Sequence, residues 1–279
     1  MTMKRLFLFA AYDPDGIVGD SLIYHLKALS AHGDIVLAAD NDFNPGELEK
    51  LRPFVKHAEA SRHGEYDFGS YKRAFCAAVS KFGIESYETL YLVNDSVFGP
   101  LSDIGASLES MENLGTPAFG LVFNPNRRNP HLQSWFMGFR KSVFLSDWFS
   151  EFMLSVKALK SKSDVCIMYE TGLTAMLGVH GVNYAALYRV GGKGIYNSVR
   201  KLYCRGLPYV KKSSFTRHCG SLGAQLKYVM DRVDADCRSA ILSDAARLFG
   251  KEYMDSLFTR NVFRISYRYL SYLCNKLFS

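Results

Sequence analysis

Several apolar runs in this chain end on acidic side chains, at the junctions where an α/β protein can keep its chemistry. Asp13 and Asp15 follow "KRLFLFAAY" (4–12), Asp67 sits in "GEYDFGSYKR", and Asp95 closes "LYLV" between Asn94 and Ser96 in "YLVNDSVFGP". Taken singly, each is a turn or cap residue, because short polar side chains bond to nearby backbone. Taken together they share a position, since an alternating sheet gathers its strand ends along one edge and binds ligands just beyond it. A carboxylate beside a bound phosphate repels it unless a hard cation lies between. Asp95 therefore points to Mg²⁺ or Mn²⁺ bridging to a pyrophosphate. The sequence has no lysine-bearing phosphate loop, and no G-x-G-x-x-G follows the first apolar run.

Glu170 is a second centre of interest. "YETGLTAMLGVHG" sets one carboxylate in an otherwise apolar, small-residue stretch. It is either an exposed helix residue or, if buried, a group whose raised pKa suits a general base. His131, in "NPHLQSWFMGFR", is placed to donate hydrogen bonds to a substrate or is an ordinary loop histidine. "SFTRHCGS" joins Cys and His, but no second pair supports a metal or nucleophile reading.

The elements that position these residues follow from periodicity. "KRLFLFAAY" reads as a strand closed by the turn "DPDG"; 20–33 reads as a helix with Leu22, Leu26 and Leu29 on one face, and 34–40 as a second strand. A short helical centre lies in 44–54 and a brief strand in "VKHAEAS". Next come a helix over 69–83 with Phe75, Ala78, Val79 and Phe82 inward, the strand ending at Asn94, a helix over 101–111 and a strand over 117–123. "NPNRRNP" is a loop, 132–140 is extended, 142–159 is one long amphipathic helix, and 164–181 is a helix leading to the strand "VNYAALYR". Strand, helix, strand without hairpin signals predicts an α/β fold with a mostly parallel sheet. Beyond residue 190 strand signals fade, so a 1–190 α/β domain and a mostly helical 191–279 region are expected.

Charge divides the chain at the same place. The net charge is +7 over 279 residues, yet the part from residue 190 holds 16 Lys and Arg against 6 Asp and Glu, and the part before it 18 against 21. A basic half of this kind faces nucleic acid or an anionic membrane, or is simply solvated. "FTRNVFRISYRYLSYLCNKLF" (258–278) interleaves Arg260, Arg264, Arg268 and Lys276 with apolar residues. As a helix it suits an anionic bilayer or an ordinary core contact. No recognition motif supports nucleic acid. The N-terminal apolar run, Leu6 to Ala11, is too short for a signal peptide, and no run nears the roughly 20 apolar residues of a spanning helix. Six scattered cysteines without C-x-x-C predict a reduced, cytoplasmic protein without structural zinc.

In order along the chain, "AYDPDGIVGDSLIYHLKAL", "YDFGSYKRAF", "LYLVNDSVFGPL", "HLQSWFMGFRKSV", "YETGLT" and "GLPYVKKSSF" resemble the rhamnan-synthesis F family of bacterial polysaccharide-assembly proteins. The resemblance spans about residues 4–216. It implies a Rossmann-like glycosyltransferase fold of the A type, with a nucleotide-sugar domain followed by an acceptor region. It further implies transfer of a sugar, rhamnose from dTDP-rhamnose, to a cell-surface polysaccharide or lipopolysaccharide O-antigen. Tyr12, Asp13, Asp67, Lys72, Asn94, Asp95 and Ser96 then contact the donor, with Asp95 at the metal, Mg²⁺ or Mn²⁺, and the diphosphate. His131, Gln133 and Ser134 line the donor-sugar and acceptor side, Glu170 is the catalytic base, and Arg127, Arg128 and Lys211 stabilise the leaving charge. Where the family commonly shows N-x-G-Y-D, this chain reads "RHGEYDFGS", with Arg62 near the place of the Asn. The partners implied are a nucleotide sugar and a glycan or lipid-linked acceptor, met at the cytoplasmic face of the inner membrane; nucleic acid is not among them. The alternative is a non-catalytic module that binds a glycan or a partner within the same machinery.

Overall fold

The computed structural model describes residues 4–217, 221–259, 261–267 and 270. The described strands are β1 (Arg5–Ala11), β2 (Asp34–Ala39), β3 (His57–Ala60), β4 (Thr89–Asn94), β5 (Val97–Phe98), β6 (Ala118–Asn124), β7 (His131–Leu132), β8 (Phe136–Arg140), β9 (Tyr184–Arg189) and β10 (Val210–Lys211). The chain forms two compact units. One comprises Met1–Val18, His25–Asp95 and Ile104–Gly192; the other comprises Gly19–Tyr24, Ser96–Asp103 and Lys193–Ser279.

The first unit is built on one mixed sheet, in the order β3-β2-β1-β4-β8-β6-β7, with β9 also paired to β6. β1 pairs in parallel with β2 and β4, β2 with β3, and β6 with β9. β8 runs antiparallel between β4 and β6. β1 and β4 are buried along their whole length, the mark of strands covered on both faces. Leu6, Leu8, Leu90 and Leu92 point into a core shared with Phe68, Tyr71, Ala74 and Phe75 of the helix Tyr66–Phe82 and with Phe149 and Leu173. Phe7, Tyr91, Phe119 and Phe136 form an aromatic cluster, with ring centroids 5.1–5.9 Å apart. Each such side chain, fully buried, contributes about 1.5–3 kcal/mol. Gly138 lets this cluster close, since a Cβ there would run into Phe119 and Tyr91.

The sheet is mostly parallel, as expected, and antiparallel β8 enters beside β4 without a tight-turn signal to announce it. Two sequence expectations are corrected. The long helix expected over 142–159 breaks into Lys141–Phe144 and Asp147–Leu154, with Ser146 in extended conformation between them. Val79 lies outside the buried face of its helix and is 45% exposed, because Phe68, Tyr71 and Ala74 do the packing instead.

The second unit pairs β5 with β10 in antiparallel fashion and is otherwise mostly helical. The helices Leu222–Met230, Ala235–Phe249 and Lys251–Leu257 bury Leu226, Val229, Cys237, Ile241 and Met254 around Phe98 and Phe215. Asp234 caps the middle helix by accepting from the Cys237 N–H at 2.8 Å. Buried Asp244 accepts from the N–H and hydroxyl of Ser21, and Gly19 leaves the room this contact needs. Among the described residues, no helix is long and apolar enough to cross a membrane. Arg260, Arg268, Lys276, Cys219 and Cys274 lie outside the described residues.

Candidate active site

Because β1, β2, β4 and β6 run in the same direction, their carboxyl ends line one edge of the sheet, and antiparallel β8 begins there. Val93 of β4 stands opposite Phe136 of β8, which brings residues 133–135 to the same edge. Asp13, Asp67, Asn94, Asp95 and Ser134 meet there as strand-end chemistry requires.

Asp95 ties two strand ends together. Its N–H donates to Ala10 O at 3.2 Å, and its Oδ2 accepts from the Tyr12 N–H at 3.3 Å. Asp13 is buried and accepts at Oδ1 from the N–H groups of Asp15 and Ile17, while its own N–H donates to Asn41 Oδ1. Gly16, at φ +67°, makes this turn possible; a Cβ there would press on Asp42 O at 2.8 Å. Asn94, 2% exposed, donates from its N–H to Trp135 O at 3.2 Å and from Nδ2 to Asp67 Oδ2 at 3.0 Å. Ser96 belongs to the second unit, where its hydroxyl accepts from Lys211 Nζ at 3.0 Å.

Glu170 is not on an ordinary helical turn. The chain over Cys166–Thr171 widens into a π-helix, a local underwinding frequently found at functional sites. Glu170 is half-buried, and its Oε1 accepts from both the N–H and the hydroxyl of Ser134, at 2.8 and 2.9 Å. One turn on, Thr174 Oγ1 accepts from the Leu132 N–H at 3.1 Å, so three bonds fix this helix against residues 132–134. The buried hydroxyl of Tyr71 donates to Ser134 O at 2.9 Å. Burial, and then the negative charge of Asp67, push that phenol well above its ordinary pKa, so it remains a donor.

The other predicted residues take different places. Gln133 Oε1 accepts from the Trp135 indole at 2.7 Å, which orients both side chains at the start of β8. His131 Nδ1 donates to Asn129 O at 2.8 Å. Lys72 donates to Val156 O at 2.7 Å and so closes the turn after the helix Asp147–Leu154. Arg127 and Arg128 stand exposed on the loop that leaves β6 at the same sheet edge.

Sequence reading missed Asp40, at the carboxyl end of β2. Its Oδ1 accepts from the N–H groups of His63 and Gly64, at 2.9 and 2.7 Å, and its Oδ2 from the Tyr66 N–H at 3.2 Å. Burial works against the charge, yet these peptide N–H bonds prevail and hold the carboxyl below its ordinary pKa. Tyr66 adopts φ +57° to bring its N–H round, an uncommon conformation for a residue with a Cβ. Arg62 donates to Asp40 O and lies 5.5 Å from the ring centre of Tyr12. "DIVLAAD" carried a signal for this group, an aspartate ending an apolar strand.

A preformed metal centre does not fit these residues. Among the described residues no three His, Cys, Asp or Glu side chains stand close enough together to hold an ion. Asp95 is the carboxylate that ends β4, and a divalent cation held there would take most of its shell from substrate oxygens and water.

Residues 35–274 match the family model described as rhamnan synthesis protein F. The chain belongs to the rhamnan synthesis protein F family. An uncharacterized protein of Sinorhizobium fredii, y4gN, is 24% identical over 181 residues, which are 63% of this chain and 46% of that protein. The rhamnan synthesis F chain described here thus spans about half the length of the curated relative it matches. Among solved structures, Aspergillus fumigatus core-mannan synthase A in its Mn/GDP form shares 10% identity over 65% of this chain and 72% of that one, with a TM-score of 0.35. Residues 1–349 of S. aureus TarS with UDP share 12% over 92% and 90%, with a TM-score of 0.40. Likenesses this distant carry neither substrate nor metal across to the rhamnan synthesis F chain.

Proposed function

We propose that this chain is a glycosyltransferase of polysaccharide synthesis. It moves rhamnose from dTDP-rhamnose onto a glycan or lipid-linked acceptor of a cell-surface polysaccharide or O-antigen. The observation that carries this reading is the pairing of Ser134 with Glu170 beside the edge where Asp13, Asp67, Asn94 and Asp95 meet. Family membership supports the substrate class.

The reaction is an inverting single displacement. The acceptor oxygen attacks the anomeric carbon from the face opposite the diphosphate, and the bond from that carbon to the phosphate oxygen breaks. The nucleoside diphosphate leaves with the electron pair, and the acceptor's proton passes to Glu170. Both hydrogen bonds to this carboxylate fall on Oε1, which leaves Oε2 to take the proton. Tyr12, Asp13, Asp67 and Asn94 hold the donor, and Gln133, Ser134 and His131 face the sugar and acceptor. Arg127 and Arg128 supply positive charge as the diphosphate departs. Since no metal centre is preformed among the described residues, Mg²⁺ or Mn²⁺ is a variable of the test and has no step here. The enzyme works in the cytoplasm, at the inner face of the membrane.

A second reading is a non-catalytic module that binds a glycan or a partner of the same machinery. The single aspartate of "NDS", where such folds keep an Asp-x-Asp pair, favours that reading. A thermal-shift panel separates the two, using dTDP-rhamnose and other nucleotide sugars, each with and without Mn²⁺, on wild type and Asp95→Ala. At a hundredfold excess over Kd a true donor adds about 3 kcal/mol of stability. The transferase reading expects this for one nucleotide sugar on wild type and a much smaller shift on the variant. Stabilisation by none of them moves the binding-module reading ahead.

A further inference from the structure

The second unit carries a basic surface that the transfer reaction does not use. From Lys193 to Arg232 the chain has nine Lys and Arg and one acidic residue, Asp231. Both carboxylate oxygens of Asp231 already accept from Lys227, at 2.7 and 2.8 Å. Lys and Arg thus far outnumber acidic residues over this stretch, and a surface of that sign attracts a negatively charged partner.

The guanidinium groups of Arg200 and Arg232 are held in place. They lie 4.2 and 3.6 Å from the ring centre of the same residue, Tyr228. Arg232 also donates to Tyr228 O at 3.0 Å, and Gln225 links the Arg200 N–H to Asn197 O. Neither guanidinium has an ion pair among the described residues, and both side chains are exposed, as are neighbouring Lys201 and Arg205. Fixed in this way, they meet a phosphate at little further cost in side-chain freedom.

Exposed apolar residues belong to the same unit. Val262, Phe263 and Tyr267 are 66%, 83% and 74% exposed. Their segment follows Leu257, whose carbonyl touches Gly223 on the helix Leu222–Met230, the helix that carries Tyr228. Exposed cations and exposed aromatic and branched side chains carried by one unit are what an anionic bilayer surface attracts. A nucleic acid is the poorer match, because the ring of Tyr228 is taken by arginines and offers no stacking platform.

We propose that the second unit docks on anionic phospholipid headgroups through Arg200, Lys201 and Arg232, with Phe263 and Tyr267 entering the interface. Binding to vesicles needs no sugar donor, so this proposal stands or falls apart from the transferase reading. The test is co-sedimentation of the whole chain with phosphatidylcholine vesicles, with and without 30% phosphatidylglycerol, at low and at about 0.5 M salt, an estimate set by screening. Binding should require phosphatidylglycerol and fall away at high salt. The double variant Arg200→Gln with Arg232→Gln should bind about 30-fold more weakly. Two controls guard against general effects. Arg200→Lys with Arg232→Lys should keep most of the binding, and Lys50→Gln with Arg52→Gln, which removes equal charge from the first unit, should stay within about threefold. Equal binding to neutral vesicles, binding to none, or unchanged binding by the Gln pair would overturn the proposal. So would an oligonucleotide bound in preference to the charged vesicles.

Discussion

Carboxylates stand at both ends of the strands in the first unit, and the two ends treat them differently. At the amino end, buried Glu112 accepts from Arg5 at 2.6 and 2.8 Å, from the Tyr91 hydroxyl at 2.7 Å, and its backbone carbonyl from Arg140 at 2.7 Å. The countercharge is built in, and the group joins β1, β4, β8 and the helix Ile104–Glu112. At the carboxyl end, peptide N–H groups hold Asp13, Asp40 and Asp95. Such bonds fix each carboxylate from the backbone, and the guanidinium that stands 4.0 Å from Asp40, that of Arg62, is open to solvent where that of Arg5 is buried. The difference separates a cluster that cements the sheet from one that, on the proposed function, meets the substrate.

The sharpest way to break this contrast is to remove Glu112. Glu112→Ala strands Arg5 in a buried place and should cost about 3–5 kcal/mol, read from denaturant melts. Donor affinity per folded molecule should not change. Asp40→Ala should cost less, about 1–3 kcal/mol, since three N–H groups lose an acceptor. Its pH behaviour sharpens the point. The folded carboxyl titrates below the ordinary value of 3.8, so its stabilisation is fully present above that value and is lost as pH falls through the lower, folded value. An acid titration of Tm should therefore be shallower for the variant than for wild type. The smallest effect is expected from Thr174→Val, about 1 kcal/mol, for the lost bond to the Leu132 N–H. If that variant slows transfer more than its stability loss explains, the bond also helps to aim Glu170.

Much of the first unit was legible because its strands are apolar throughout and each ends on a polar group. "KRLFLFAAY" and "LYLV" gave their own limits, and Asp13, Asn94 and Asp95 fell at one edge by the rule of parallel strands. β8 was harder. An antiparallel strand announces itself by a tight turn, and here the chain passes through a proline-rich loop and β7 first. Asp40 could be seen as a strand-end aspartate, but its ring of N–H donors depends on the backbone of Tyr66, which composition does not encode. The break at Ser146 was hidden because the apolar spacing continues across it. Glu170 stood out by type, whereas its partner Ser134 and the π-turn that joins them are tertiary facts.

The most direct test of the proposed function compares wild type with Glu170→Gln, following donor binding by calorimetry and sugar transfer by product formation on the same samples. The account predicts that the variant binds donor as wild type does, melts at the same temperature, and transfers about 10²–10⁴-fold more slowly. Transfer at the wild-type rate by Glu170→Gln would contradict it, and would turn the Ser134–Glu170 pair into a structural bond.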